Sequence, residues 1–523
     1  MEINPQFMPK VLKIYLEISQ YPILSRIIRE RMRWEIFQRG IVSPESFERE
    51  IREKAIESQK REGLQNPYRE ESPHDWNERM NTIRAYMTDF YFAYNLPHNL
   101  FEQIVQDVIN ERVPDREVRL SFNPELAPWD VLFTEGEHYE QMPADEQTRV
   151  KHHLREIKVV LIKAMISDHL TFVGLAREAF SIEDLKMIRD NRIGRGKIGG
   201  KAAGMLLAYK LLQNHATEWG LDPEAITIPP SYYIASDVFY DVHEINDFYP
   251  FMNQKYRTQD EIFADYPKIF KRYLDARLPD YVAQHLAELL DKIGPRPLIF
   301  RSSSLLEDSF DTSFAGKYDS FFLPNQGTPE ENFAAAREAL LRIYASTLSP
   351  DALIYRKHMN LIDFDERMAI LIQIVEGEHY GHYYFPAMAG VGFSRNPFRW
   401  NARIRREDGL LRLVAGLGTR AVDRVANDYP RMVALSHPRL RPETNVAQVR
   451  QYSQRLIDVL NCENNAFETL PITTILDSKY PALRLLAVQD MGDHLQPFAM
   501  RPTNVDPAQL VFTFDRLLDR TTF

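Results

Sequence analysis

Along residues 1–190, apolar positions recur at three- and four-residue steps between charged ones. Leu154, Ile157, Leu161, Ala164 and Met165 form one such stripe, the spacing that buries one face of a helix. The pattern predicts a mostly helical N-terminal extension, with a polar loop around Arg61 to Asn77 (Pro67, Pro73) and a break at Asn123 to Pro128. From about residue 191 the texture changes. A glycine-rich turn leads into a helix over Ala202 to Leu212, followed by strand-like runs at Ile226 to Ile234 and Leu298 to Phe300. Helices are predicted at Glu330 to Tyr344 and Pro350 to His358, and strands at Met368 to Val375, Ala387 to Phe393 and Leu410 to Val414. The tail predicts a helix near Val446 to Leu460 and a hairpin turning at Met491-Gly492-Asp493. Helices and strands mixed in this way predict an α+β region behind the helical extension.

Composition narrows the setting. At 523 residues the chain has room for two to four domains, and 44% apolar with 26% charged residues is ordinary for a soluble globular protein. A net charge of -10 argues against a nucleic-acid partner. A single cysteine, Cys462, excludes an intrachain disulfide and an all-cysteine zinc site, and fits a reducing compartment. The start of the chain, with Glu2 and Pro5, does not read as a secretory signal. The apolar run Val159 to Ile166 is interrupted by Lys163 and too short for a bilayer. The expectation is a cytoplasmic protein without a membrane partner.

The first candidate chemistry is Gly194-Arg195-Gly196-Lys197-Ile198-Gly199-Gly200-Lys201. Its glycines satisfy G-x-G-x-x-G, but Ile182 to Asn191 before it is polar and helix-like where a dinucleotide fold needs a buried strand. Arg195 and Ala202 break the P-loop pattern. Arg192, Arg195, Lys197 and Lys201 crowd a helix start, which suits a polyanion; a solvated basic loop is the alternative. Glu376, Glu378, His379 and His382 lack the spacing of a zinc helix, and Gly377 and Gly381 between them suggest a loop.

The second candidate is Arg301-Ser302-Ser303-Ser304, then Glu307-Asp308, then Ser313-Phe314-Ala315-Gly316 and Asp319-Ser320. The strand ending at Phe300 sends Arg301 out of a sheet, where a guanidinium suits phosphate oxygens. A polar loop with Arg301 in a surface ion pair is the alternative. This stretch resembles the signature of the ATP-binding domain shared by phosphoenolpyruvate synthase, pyruvate phosphate dikinase and rifampin phosphotransferase. So do Gly199-Gly200-Lys201-Ala202-Ala203-Gly204, Ile228-Pro229-Pro230 and Gly390-Val391-Gly392-Phe393-Ser394-Arg395-Asn396-Pro397, with Gly416-Leu417-Gly418 after them. Ile370 to Val375 with Gln373 is similar to that family's second-lobe strand. The likeness covers about residues 170–435.

The resemblance implies an ATP-grasp-like fold: an extension over residues 1–170, a first lobe over 171–345 and a second over 346–523. It implies that ATP and Mg2+ are bound and that phosphoryl passes from ATP to a histidine on another domain or chain, with AMP as product. Lys201 and Arg301 inherit phosphate contacts and the catalytic role. Gly199, Gly200, Ser302, Gly316 and Ser320 line the phosphates, and Gln373 lies near the base. Two departures stand out. Thr419-Arg420 follow Gly416-Leu417-Gly418 where the synthases usually show Glu. Phe498-Ala499-Met500-Arg501-Pro502 only faintly resembles the family's Gln-x-Arg-Pro, and Leu485 to Gln489 carries no glutamate, so metal ligands are not assigned and the closing metal-binding strands are expected to be lacking. A non-catalytic nucleotide-binding regulatory module is the competing expectation.

Overall fold

A computed structural model describes residues 10–19, 24–61, 72–110, 127–305, 307, 316–363, 366–422, 428–498 and 505–519. The chain divides into two compact units, Met1–Ile162 with Ser181–Lys186, and Lys163–Phe180 with Met187–Phe523.

The first unit is helical: α1 (Lys10–Ser19), α2 (Ser25–Gln38), α3 (Pro44–Arg61), α4 (Pro73–Asn95), α5 (His98–Asn110), α6 (Trp129–Gln141) and most of α7 (Ala144–Met165). Ile28, Met32 and Ile36, four residues apart on α2, are buried with Ile14 and Ile18 of α1 and Phe101, Val105 and Val108 of α5. Arg29 grips Asp89 of α4 with two nitrogens, at 2.9 and 2.7 Å. Leu161 and Met165 of the stripe read from sequence are buried. The polar stretch around Arg61 to Asn77 is shorter than expected: Ser72 caps α4 by accepting from the Asp75 amide, so Pro73 to Asn77 is helical. Residues 62–71 and 123–126 lie outside the described residues.

The second unit contains α8 (Leu170–Ala179), α10 (Gly200–His215), α11 (Ser236–Ile245), α12 (Gln259–Leu274), α13 (Asp280–Ile293), α14 (Pro329–Ser346) and α15 (Pro350–His358); α9 (Ile182–Asp190) runs into it from the first. Its larger sheet orders β1 (Arg192–Ile193), β2 (Ser231–Ile234), β5 (Met368–Ile374), β3 (Leu298–Ser304) and β4 (Ser320–Leu323) as β1-β2-β5-β3-β4. Only β1 and β2 are parallel; the other pairs are antiparallel. Every residue of β5 is buried, as a central strand covered on both faces requires. Ile370, Ile372, Phe300 and Ile234 meet Phe239, Tyr273, Leu286, Leu340 and Tyr344 of α11–α14 in the main core. On the other face, Ile299 and Phe322 join Val375, Tyr384, Leu417 and Leu460 in a smaller cluster. The Ile370 to Val375 run, expected as a second-lobe strand, is therefore the centre of the sheet that holds β1–β4.

Three smaller sheets follow among the described residues of the unit. Strands β8 (Ala389–Phe393), β9 (Leu410–Val414) and β10 (Arg431–Ala434) form the first. β6 (Glu378–Tyr380), β7 (Tyr383–Phe385), β11 (Leu456–Asn461) and β12 (Ala466–Pro471) form the second. β13 (Ala487–Asp490), β14 (Leu495–Gln496) and β15 (Leu510–Phe512) form the third, and β13–β14 is the expected hairpin at Gly492. The helix expected over Val446 to Leu460 stops at Gln451. Leu456–Asn461 pairs instead with all six residues of β12, burying Ile457, Val459 and Leu460; tertiary pairing overrides a local pattern that fits either state.

Phe300 is fully buried at the middle of this core. We expect Phe300→Ala to cost about 3–5 kcal/mol, read as a fall in the urea midpoint of the second unit.

Candidate functional site

The glycine-rich turn and β3 are folded directly onto each other. Gly199 has φ +82°, and a Cβ there would lie 1.5 Å from the Ser303 carbonyl oxygen; one at Gly200 would lie 1.9 Å from that of Glu307. No other residue type fits either place. The Ser303 hydroxyl locks the junction, donating to the Ile198 carbonyl at 2.9 Å and accepting from the Ala202 amide at 3.1 Å. This contact sets the first turn of α10 beside Ser302–Ser304.

Lys201 Nζ then reaches Ser302 Oγ at 3.2 Å and Glu307 Oε1 at 3.1 Å. The Glu307 carboxylate also accepts from Ser302 Oγ at 3.0 Å and the Ser304 amide at 2.9 Å. Burial pushes the Glu307 carboxyl above its ordinary value, with Lys201 the strongest opposing influence. A second buried acid, Glu366, lies beneath: its carboxylate accepts from the Ser304 and Tyr318 hydroxyls, and burial pushes it up as well.

Arg301 was expected to leave the sheet. It lies mid-strand instead, because β3 continues through Ser304 and Ser302–Ser304 pair with Met368–Ile370 of β5. Its cross-strand neighbour on β4 is Ser320, so the two side chains share one face of the sheet. Arg301 Nη1 donates to Gln373 Oε1 at 3.3 Å, and Gln373 Nε2 donates to Ser231 Oγ at 3.1 Å and meets Met205 Sδ of α10 at 3.2 Å. Gln373 is thus a buried amide turned toward α10 and Arg301, with partners at both ends. Gly316, at φ +71° with open space where a Cβ would be, begins the run into β4. The preceding residues 308–315, which include Ser313 to Ala315 of the motif, lie outside the described residues.

The structure therefore brings Gly199, Gly200, Lys201 and Ser302 into one junction, and Arg301, Gln373 and Ser320 onto the adjoining sheet face. The rest of the basic turn differs from expectation. Its amides at Arg195 and Gly196 are held by the Asp237 carboxylate at 2.7 and 2.8 Å, and the Lys197 amide by Ser236 Oγ at 3.2 Å. Lys197 pairs with Asp168 at 2.5 Å, and Arg192 donates to the Gly196 carbonyl, with burial lowering its pKa to about 10. The amides of Gly200 and Lys201, at the start of α10, have no protein acceptor among the described residues. Glu376, Glu378, His379 and His382 fall on or beside the β6–β7 hairpin, and no group of three or more His, Cys, Asp or Glu suited to a metal occurs among the described residues.

Sequence reasoning quoted Glu307 but gave it no role, and missed Glu366 and Asp237. Ser304-x-x-Glu307 has the spacing of a reciprocal cap, a signal that would have found Glu307. Asp237 carries no such mark.

The family model for the pyruvate phosphate dikinase AMP/ATP-binding domain matches residues 195–491, more than half of the chain. The chain belongs to this family and carries its ATP-binding domain, behind a helical N-terminal region. No curated protein matches the chain. No described helix is long and apolar enough to cross a membrane.

Two outcomes test the junction. Gly199→Ala should destabilise by about 2–4 kcal/mol through its positive φ and the overlap with Ser303, measured by chemical denaturation. The second is a pH effect. With its folded-state pKa above the ordinary 4.5, Glu307 favours the fold most below that value, and this contribution is lost as pH rises through the folded value. Glu307→Gln lacks the titration, so its stability relative to the parent chain should increase from acid to neutral pH. A flat difference would mean that Lys201 fully offsets the burial.

Proposed function

We propose that the junction of the glycine turn with β3 is the phosphate end of an ATP site, and that the chain passes phosphoryl from MgATP to a histidine on another domain or chain. The observation that carries this reading is the convergence of Lys201, the two open amides of α10 and the Arg301–Gln373 pair at one side of the five-stranded sheet. Ammonium, guanidinium and backbone N–H groups are the donors that phosphoryl transfer uses to position oxygens and spread charge. In this reading Lys201 and Arg301 hold phosphate oxygens, Ser320 adds a hydroxyl, and Ser302 takes part by positioning Lys201. Gly199, Gly200 and Gly316 allow close backbone approach, and Gln373 orients Arg301 beside the base. The fold is ATP-grasp-like, with β5 placing Met368–Ile374 in the same sheet as β1–β4, and a cytoplasmic setting suits the single cysteine.

Magnesium supplies charge neutralisation on the phosphates, and a protein contributes one or two carboxylates to hold it. Glu307 is committed to Lys201, Ser302 and the Ser304 amide. Asp458 is committed to Thr419, Arg420 and Thr469. Neither of these two acids is therefore offered to the metal. That commitment of Asp458, with Thr419 in place of a glutamate, favours the second reading: a nucleotide-binding regulatory module without transfer chemistry. Product analysis separates the two, since transfer releases AMP when a phosphohistidine-bearing domain is added, whereas a regulatory module binds ATP and leaves it intact.

Arg301→Ala and Lys201→Ala should each weaken ATP binding by on the order of 1.5–3 kcal/mol, the range for charged hydrogen bonds. Calorimetric titration measures this, with thermal unfolding as the check on folding. Unchanged affinity in both variants would remove the assignment.

A further inference from the structure

Between β8 and β9 the chain makes an excursion, residues 394–409, that the proposed ATP site does not use. It carries Arg395, Arg399, Arg403, Arg405 and Arg406 against Glu407 and Asp408, within a chain of net charge -10. All five arginines are exposed. Arg395, Arg399, Arg403 and Arg406 form no ion pair among the described residues, and Arg405 lies in the field of Asp408.

The excursion is pinned from within. The Asn396 amide donates to the Arg406 carbonyl at 2.7 Å, and Asn396 Oδ1 accepts from the Phe398 amide at 2.9 Å. The Arg403 amide donates to Asn401 Oδ1 at 3.0 Å, and the Arg405 amide to Asp408 at 2.7 Å. Ile404 is buried as its apolar anchor. Asn396 is fully buried, yet its Nδ2 finds no acceptor among the described residues, and neither does the buried Nε1 of Trp400. The segment thus holds an excess of donors, five of them guanidinium groups, on a backbone already fixed.

It sits at the far end of the β8–β9 ladder from the Gly416 turn. Ala389 pairs with Val414 next to the Gly416 turn, whereas Phe393 pairs with Leu410 at the excursion. The two ends of this ladder are about 14 Å apart at the usual rise per residue.

We propose that this arginine excursion docks a partner protein through a compact, carboxylate-rich face on that partner. Nucleic acid is the other polyanion to weigh, and two features disfavour it. Stacking of successive bases needs a series of free aromatic faces. Here Arg412 lies over the Phe393 ring at 5.2 Å and Trp400 is partly buried, which leaves Phe398 alone as an open platform. A compact acidic face also matches a patch confined to Arg395–Arg406 and ends with it, whereas a long phosphate backbone would extend beyond it.

The test is binding of a fluorescent oligoglutamate peptide to the full chain, with a single-stranded oligonucleotide in parallel, at low and at physiological salt. We expect salt-sensitive peptide binding that falls roughly tenfold or more when Arg399, Arg403, Arg405 and Arg406 are replaced together by Gln. A charge-matched control replaces Arg49, Arg52, Arg177 and Arg272, exposed elsewhere, and should retain binding. ATP affinity should be unchanged in both, which keeps the outcome separate from that of the phosphate site and shows that the variants fold. Equal loss in the control would reduce the effect to net charge and overturn the proposal. So would absence of peptide binding at low salt, or tighter binding of the oligonucleotide that depends on the same arginines.

Discussion

A carboxylate with almost no access to water, Glu307, is the constraint on which the arrangement around it depends. An isolated buried carboxylate is costly, so it must gather donors. Three converge on it: the Ser302 hydroxyl and Ser304 amide of β3, and the ammonium of Lys201 on α10. Two come from the end of β3 and one from α10, so one acid, itself in the turn after the strand, fixes the strand end, that turn and the helix across from it. The glycines follow from that fixation. With α10 held this close, the backbone at 199 and 200 approaches β3 within the radius of a methyl group, and only glycine remains possible.

The same pair shapes the electrostatics offered to a ligand. The Lys201 side chain is 23% exposed and that of Glu307 5%, so the lysine faces outward while its partner stays inside. An anion arriving at α10 meets an ammonium whose orientation is already set, without first ordering a long flexible side chain. Arg301 is prepared in a parallel way by Gln373, which in turn is held by Ser231. Both cations are thus supported from behind by a buried polar group anchored on a neighbouring element.

Local pattern made much of this legible. The alternation of helices and strands, the stripes on α7 and β5 and the glycine spacing are all short-range signals, and the elements they mark are present. What was hidden depends on contacts across the sequence. Ser302, Ser303 and Ser304 read as a polar loop, yet they extend β3 because Met368–Ile370 pair with them some 65 residues later. Leu456–Asn461 reads as the end of a helix until β12 supplies a strand partner. The basic turn reads as a helix start open to a polyanion until Asp237, about 40 residues on, occupies two of its amides. In each case a partner distant in sequence decides between two locally acceptable states.

The departure at Thr419 has a physical logic of its own. Gly416, at φ +79°, lets the turn after β9 press against β11, and the Leu417 amide donates to the Asp458 carbonyl at 3.0 Å. That contact places residues 419 and 420 over the Asp458 side chain, which accepts from the Thr419 hydroxyl at 2.5 Å, from Arg420 Nε at 3.0 Å and from the Thr469 hydroxyl at 2.6 Å. A glutamate at 419 would set a second carboxylate against a buried one, and like charges at that range favour neutralising one of them. Threonine avoids the conflict and supplies a donor. Arg420, itself buried and bridged to Asp428 at 2.6 Å, balances the charge that remains. The acid at this corner therefore belongs to β11 and is turned inward, where it holds the turn against the sheet and is withdrawn from any ligand.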